Sequence, residues 1–249
     1  MALGLIHPTS GEVTVLGERV TPDRTQVLKH VGALLGAPAF VPYLTAWENV
    51  ALVARLSPGI KAQRIEETLE LVGLHDSIYR RVGKFSTGMK QRVGLAMALV
   101  HQPRFVILDE PTNGLDPAGM REIRVLLRSL VANGTTVLLS SHLLNEVEQV
   151  CDRIAVLNKG KVVVQGLVSE LLAAQKPAVR LKLPAACDPT HALHDLPGVE
   201  ELQTDGAWTI VSGVETQAVM SHLLRQNIIP QEIAAHKTDL ESLFMEVTA

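Results

Sequence analysis

Arg104-Phe105-Val106-Ile107-Leu108-Asp109-Glu110 is the stretch on which the reading of this chain turns. Four apolar residues in a row, with β-branched members and no helical spacing, predict a strand buried on both faces, as in a parallel sheet. Asp109 and Glu110 then fall at its carboxyl end, where open α/β sheets bind ligands. One carboxylate there can hold a divalent cation directly or through water, while its neighbour, pointing to the other face, can orient an attacking water. A strand that merely stops where polar residues begin has the same pattern, so the flanking sequence decides.

Upstream, Phe85-Ser86-Thr87-Gly88-Met89-Lys90-Gln91-Arg92 followed by residues 93–100 reads as a helix entered from a loop. Ser86 suits the N-cap, Met89, Val93, Ala96 and Val100 are spaced for a buried stripe, and Gly88 lets a ligand approach the backbone. Free amides at a helix start attract phosphate, although Ser-Thr-Gly is also an ordinary cap. Downstream, Pro111-Thr112-Asn113-Gly114-Leu115-Asp116-Pro117 is a turn leading into a helix at 118–132. Residues 135–139 predict another buried strand, which ends in Ser140-Ser141-His142. A histidine there can contact a γ-phosphate or cap the next helix.

In order and spacing these pieces closely resemble the ATP-binding subunit of ABC transporters. The signature loop would be 85–91, Walker B 105–110, the D-loop 113–117 and the switch histidine His142. The resemblance covers residues 3 to about 170, and Asp239-Leu240-Glu241-Ser242-Leu243-Phe244 is similar to the tail ending of the ABC-2 export branch. Phe85, Thr87 and Met89 depart from the commoner Leu-Ser-Gly-Gly-Gln signature in a way familiar in that branch. The family closes the Walker A loop of one subunit and the signature loop of another around one ATP. The resemblance therefore implies that Ser86, Thr87 and Gly88 bind the γ-phosphate held by an opposite subunit. By the same carry-over Asp109 binds Mg²⁺, Glu110 polarises water, His142 senses the γ-phosphate, and Asp116 crosses the dimer interface. The implied partners are transmembrane permease subunits and a second ATPase subunit, with the chain peripheral on the cytoplasmic face of the membrane.

The sequence also lacks something. A P-loop needs Gly, four residues, then Gly-Lys-Ser/Thr between a strand and a helix, because successive amides and the lysine surround the phosphates. No such run occurs: Gly83-Lys84 and Gly160-Lys161 both fail the pattern. The opening residues 1–12 resemble the end of the helix that follows Walker A, running into its next turn. Two accounts fit. In the preferred one Met1 is an internal methionine of that helix; in the other the chain is a degenerate subunit that lends its signature loop to a competent partner. Either way the 249 residues alone are expected to hold ATP poorly and to turn none over. Several charge-assisted hydrogen bonds, each worth about 1.5–3 kcal/mol, would be missing. A second departure is Gly36, where the family carries Gln or Glu in a loop that reaches the metal. Its neighbours 37–43 form an apolar, proline-stiffened loop that either receives a membrane subunit's helix or packs on its own subdomain.

With 47% apolar residues and a net charge of −3, the chain can form one large core or two modest ones. Its longest apolar run, 95–100, is far short of the roughly 20 residues of a membrane span, and no signal peptide is legible. Cys151 and Cys187 show no metal spacing and read as reduced thiols. Residues 1–175 carry 18 Lys/Arg against 16 Asp/Glu, whereas 176–249 carry 5 against 10. That shift, with Gln175-Lys176-Pro177 beside it, places a domain boundary near 176. The acidic tail argues against nucleic acid. Short β-like runs at 178–183, 208–211 and 231–235 alternate with helical patterns at 215–226 and 238–247, an α+β accessory domain. His191, His194, His222 and His236 have no metal spacing. Further elements are expected at 12–16, 153–157 and 161–165 (strands) and 59–74 (an amphipathic helix with Ile65, Leu69 and Val72 on one face). The expected fold is thus an α/β, P-loop NTPase-like core without its first strand and P-loop, a helical subdomain at about 45–100, and a small C-terminal domain.

Overall fold

The computed structural model describes residues 1–174, 176–185, 187–236 and 239–248. Gln175 of the expected boundary and Thr238, the first residue of the expected last helix, lie outside them. The chain divides into two compact units, Met1–His142 and Leu143–Ala249.

The first unit opens with turns, not with the end of a helix: Gly4 N–H donates to Met1 O and Gly4 takes φ +69°. A two-residue hairpin follows, β1 (Thr14–Val15) with β2 (Glu18–Arg19). The parallel sheet contains β3 (Val31–Leu34), β4 (Phe105–Asp109) and β5 (Thr136–Ser140), in that order. Val106 and Leu108 are fully buried on one face of β4, and Phe105 and Ile107 pack on the other against Val15, Val20, Val27 and Val31. Both faces of β4 are therefore covered, as its unbroken apolar run requires. β5 differs from expectation. Among the described residues it pairs with β4 alone, and Leu138 is 53% exposed. An apolar run cannot report how many neighbours a strand has, and here the strand lies at the edge of its sheet.

The helical subdomain consists of α1 (Ala46–Ala54), α2 (Ala62–Leu71) and α3 (Thr87–Leu99). Thr45 opens α1 with a capping box: its Oγ1 accepts from Glu48 N–H (3.1 Å), and the Glu48 carboxylate accepts from Thr45 N–H (2.7 Å). Ile65, Leu69 and Val72 make the buried stripe expected at the 59–74 segment. Asn49 is buried, and its amide pairs with Val41 N–H (2.7 Å), Val41 O (3.1 Å) and Thr45 O (2.9 Å), which ties the apolar loop to α1. α4 (Pro117–Ala132) starts on Pro117, whose fixed φ suits a first helical position, and buries Ile123, Leu126 and Leu127.

The second unit begins with α5 (Leu144–Val150), the hairpin β6 (Arg153–Asn158) and β7 (Lys161–Leu167), and α6 (Val168–Ala173). The hairpin turn has Lys159 at φ +49° and Gly160 at φ +77°, so the Asn-Lys-Gly signal was legible. Next come β8 (Ala178–Lys182), α7 (Pro189–Leu193), β9 (Glu201–Asp205), β10 (Trp208–Ser212), α8 (Thr216–Arg225) and β11 (Glu232–His236). This β-α-β-β-α-β series makes an antiparallel sheet in the order β11-β8-β10-β9. Its core joins Val179, Leu181 and Val211 to Leu193, Val219 and Leu223 of α7 and α8. The closing helix α9 (Leu240–Thr248) packs elsewhere: Leu240 and Leu243 join Val168, Leu144, Val147 and Ile154. The division drawn near residue 176 thus falls inside the second unit, whose last helix joins residues on the far side of it.

Candidate functional site

Two groups of chemically capable side chains form in the first unit. The first lies at the carboxyl ends of β4 and β5. Parallel pairing sets Asp109 opposite Ser140, and the Ser140 hydroxyl donates to Asp109 Oδ1 at 2.5 Å. Glu110 leaves the strand at φ +49°, a conformation that costs an L-residue about 1–2 kcal/mol. Its main chain is held on both sides. Glu110 N–H donates to Ser140 Oγ (3.1 Å) and lies 3.3 Å from Ser140 O, while Glu110 O accepts from Asn113 N–H (3.1 Å) and from Gln91 Nε2 (3.4 Å). Its carboxylate meets His142 Nδ1 at 2.9 Å. The imidazole is 66% exposed and the Glu110 side chain 29%, so this pair is solvated on one side and adds little to stability. Asp109, Glu110 and His142 are thus brought to one edge of the sheet. Ser140, which sequence reading left without a role, is bonded to both acidic residues.

The second group surrounds the start of α3. Ser86 is its N-cap, and Ser86 Oγ accepts from Met89 N–H at 3.3 Å. Thr87 and Gly88 occupy the first helical turn beside the 113–116 turn. A Cβ on Gly88 would lie 2.9 Å from Leu115 Cδ2, and one on Gly114 would lie 2.9 Å from Thr87 Cγ2. Glycine suits both positions, and Gly114 most, because it also holds a left-handed φ of +74°. Asp116, expected at a dimer contact, is exposed and caps α4, with Oδ1 accepting from Gly119 N–H at 2.9 Å. Arg92 fastens the neighbourhood: it donates to Val72 O at 2.8 Å and to Glu122 Oε2 at 2.7 Å, with its side chain 13% exposed. Neither Arg92 nor Glu122 was singled out from sequence, because their pairing joins two helices, α3 and α4, 30 residues apart.

Gly36 stands at φ +60° with open space where a side chain would be. Behind it the apolar loop rests on α3, since Pro38 Cβ lies 2.7 Å from the position of a Cβ on Gly94, and Lys90 Nζ lies over the Phe40 ring at 5.8 Å. Tyr43 is 73% exposed. The loop packs on its own subdomain and still presents an aromatic side chain to solvent.

The first group offers carboxylate and hydroxyl oxygens, the hard donors that suit Mg²⁺. Among the described residues no three His, Cys, Asp or Glu side chains form a metal cage. Mg²⁺ needs none, because it is ordinarily completed by water and substrate phosphate. The second group offers helix-start amides to an anion.

A family model described as "ABC transporter" matches residues 1–113. The uncharacterized ABC transporter ATP-binding protein YhcH of Bacillus subtilis is 38% identical over 251 aligned residues, covering 100% of this chain and 81% of that protein. The bacitracin transport ATP-binding protein BcrA of Bacillus licheniformis is 35% identical, covering 99% of this chain and 82% of the relative. Among solved structures, a dimeric ATP-binding cassette in a post-hydrolysis state with ADP and Pi matches with a TM-score of 0.59 at 27% identity. That match covers 66% of this chain and 75% of the other.

Proposed function

The chain belongs to the family of ABC transporter ATP-binding subunits, and from that premise we propose that it is the ATPase subunit of an ABC-type exporter, working as a dimer beneath transmembrane permease subunits on the cytoplasmic face of the membrane. The observation that carries the chemistry is the convergence of Asp109, Glu110, Ser140 and His142 at the carboxyl edge of a parallel sheet. Asp109 and the Ser140 hydroxyl would hold Mg²⁺, which when bound neutralises phosphate charge. Glu110 would accept a proton from, and orient, the attacking water. His142, hydrogen-bonded to Glu110, would fix that carboxylate and meet the γ-phosphate. Ser86, Thr87 and Gly88 would donate to the γ-phosphate of an ATP gripped by an opposite subunit, with Asp116 at the contact between subunits. In this reading the ATPase domain is residues 1–175 and the accessory domain 176–249, whose last helix packs back on residues 144–172. The exposed Tyr43 and its loop face the permease. A relative named as a bacitracin transport ATP-binding protein supports the transport assignment.

The test supplies what these residues lack. A chimera with a relative's phosphate-binding segment joined ahead of Met1 is expected to hydrolyse Mg-ATP, and Glu110→Gln to abolish this. A chimera that binds ATP yet never turns it over would contradict the reading.

A second reading, which the exposed Ser86 and Thr87 at the start of α3 would also serve, is that the chain lends residues 86–88 to another subunit's ATP. Mixing it with a P-loop-bearing subunit should then raise that subunit's turnover, and Ser86→Arg should cancel the gain. A partner whose rate is unaffected argues against lending.

A further inference from the structure

Gln91 lies one turn into α3, is 7% exposed, and sends its Nε2 to Glu110 O at 3.4 Å. A buried primary amide is costly unless it is bonded, so this contact gives the side chain its place. The bond ends on a residue that needs support. Glu110 is a non-glycine residue at φ +49°, and such a conformation persists only where the surroundings hold it. Ser140 holds its N–H side, whereas Asn113 N–H and Gln91 hold its carbonyl. Turning that peptide back toward the ordinary region would swing the carboxylate off His142 Nδ1.

The position of Gln91 on its helix adds a second consequence. Ser86 caps α3, and one helical turn separates the Thr87 and Gly88 amides from Gln91. The start of α3 is also locked against the 113–116 turn, where Gly114 meets Thr87 and Gly88 meets Leu115. A displacement of the helix start therefore reaches Glu110 by two physical routes, the turn and the Gln91 amide.

We infer that Gln91 is a positioning residue: its amide holds Glu110 in the left-handed conformation that aims the carboxylate at His142, and so joins the 86–88 group to the carboxylate group within one chain. The joining half of this inference rests on the function proposed above, in which those two groups serve different ATP molecules of a dimer. Gln91 itself touches no nucleotide. It acts through the backbone of Glu110.

The test uses amide hydrogen exchange and ¹⁵N spectra of the full 249-residue chain carrying Gln91→Met, which keeps length and bulk but removes the donor. The Glu110 and Asn113 amides should exchange about tenfold faster and the His142 ring signals should move, while amides of β3 and α2 keep their rates. Unchanged exchange at 110 and 113, or equal acceleration throughout the first unit, overturns the inference. If the methionine variant does not fold, Gln91→Glu, isosteric and without a donor when ionised, is read by the same criteria. A second arm adds a P-loop-bearing subunit with ATP and Mg²⁺. Exchange at 110 and 113 should slow in the wild-type chain and not in Gln91→Met; an equal response in both overturns the joining half. A wild-type chain that gives no response counts against the proposed function instead, and Gln91 is then decided by the first arm.

Discussion

The parallel sheet of the first unit gathers acidic, hydroxyl and imidazole groups from two neighbouring strands at one edge, whereas among the described residues of the second unit's antiparallel sheet no two neighbouring strands end at the same edge. Direction explains the difference. β3, β4 and β5 all run the same way, so the residues that follow them, Glu110 and Ser141-His142 included, emerge on one side. In the second unit every hydrogen-bonded pair is antiparallel, so the ends of neighbouring strands point to opposite edges, and polar groups there pair at the surface, as Lys176 does with Glu200 and Gln203 with Glu201. Chemistry collects where neighbouring strands share a direction. Of the described non-glycine residues with left-handed φ, Glu110 lies at the site, whereas Leu16, Gln102, Lys159 and Asn227 lie in turns and loops.

The comparison breaks most visibly at Glu110. In the P-loop chimera, Glu110→Gln should lower ATP turnover by about 10²–10⁴-fold while leaving thermal unfolding unchanged, as steady-state kinetics beside calorimetry would show. Next in size is a change confined to the antiparallel sheet. Leu181 is fully buried between α7, α8 and its strand neighbours, so Leu181→Ala should destabilise the second unit by about 2–5 kcal/mol in denaturant unfolding. The Glu110 and His142 signals should not respond.

Two turn glycines sharpen the contrast at smaller scale. Gly114→Ala combines a left-handed backbone (φ +74°) with a Cβ 2.9 Å from Thr87 Cγ2, and should cost about 2 kcal/mol and disturb the start of α3. Gly206→Ala, in the β9–β10 turn, has a left-handed backbone (φ +59°) but open space. It should cost only the backbone share, about 1 kcal/mol. Equal losses at both sites would mean that the packing of Thr87 on Gly114 is immaterial.

The smallest effect concerns pH. Burial lowers the affinity of His101 for a proton below that of an ordinary histidine, partly offset by its Nε2–H bond to Val31 O at 3.1 Å. The unfolded chain then binds the proton more readily, so stability is full above the ordinary value of about 6.5 and declines as pH falls from there toward the lower folded value. His101→Gln should flatten that decline in unfolding curves taken across the window.

Much of this was legible in the sequence. The Phe-Val-Ile-Leu run gave β4 and its covered faces, Ser86 announced the start of α3, and Asn-Lys-Gly set the β6–β7 hairpin. What stayed hidden depends on contacts between distant residues. β9, Glu-Leu-Gln-Thr-Asp, has one apolar residue and is a strand because β10 templates it, and α7 is too short for a periodic signal. The bond between Ser140 and Asp109 exists because β4 and β5 pair in one register, and Gln91 reaches Glu110 only once α3 has folded beside it. Residue types singled out Asp109, Glu110 and His142 as candidates, whereas pairing supplied the residues that hold them in place.

The claim at the centre of this account is that these three side chains act on a triphosphate gripped by atoms outside the 249 residues. ATP turnover by the purified chain, measured beside the chimera carrying a P-loop segment, tests it most directly. The account predicts none from the chain alone and Glu110-dependent hydrolysis from the chimera. Robust hydrolysis by a homogeneous preparation of the chain itself would contradict it.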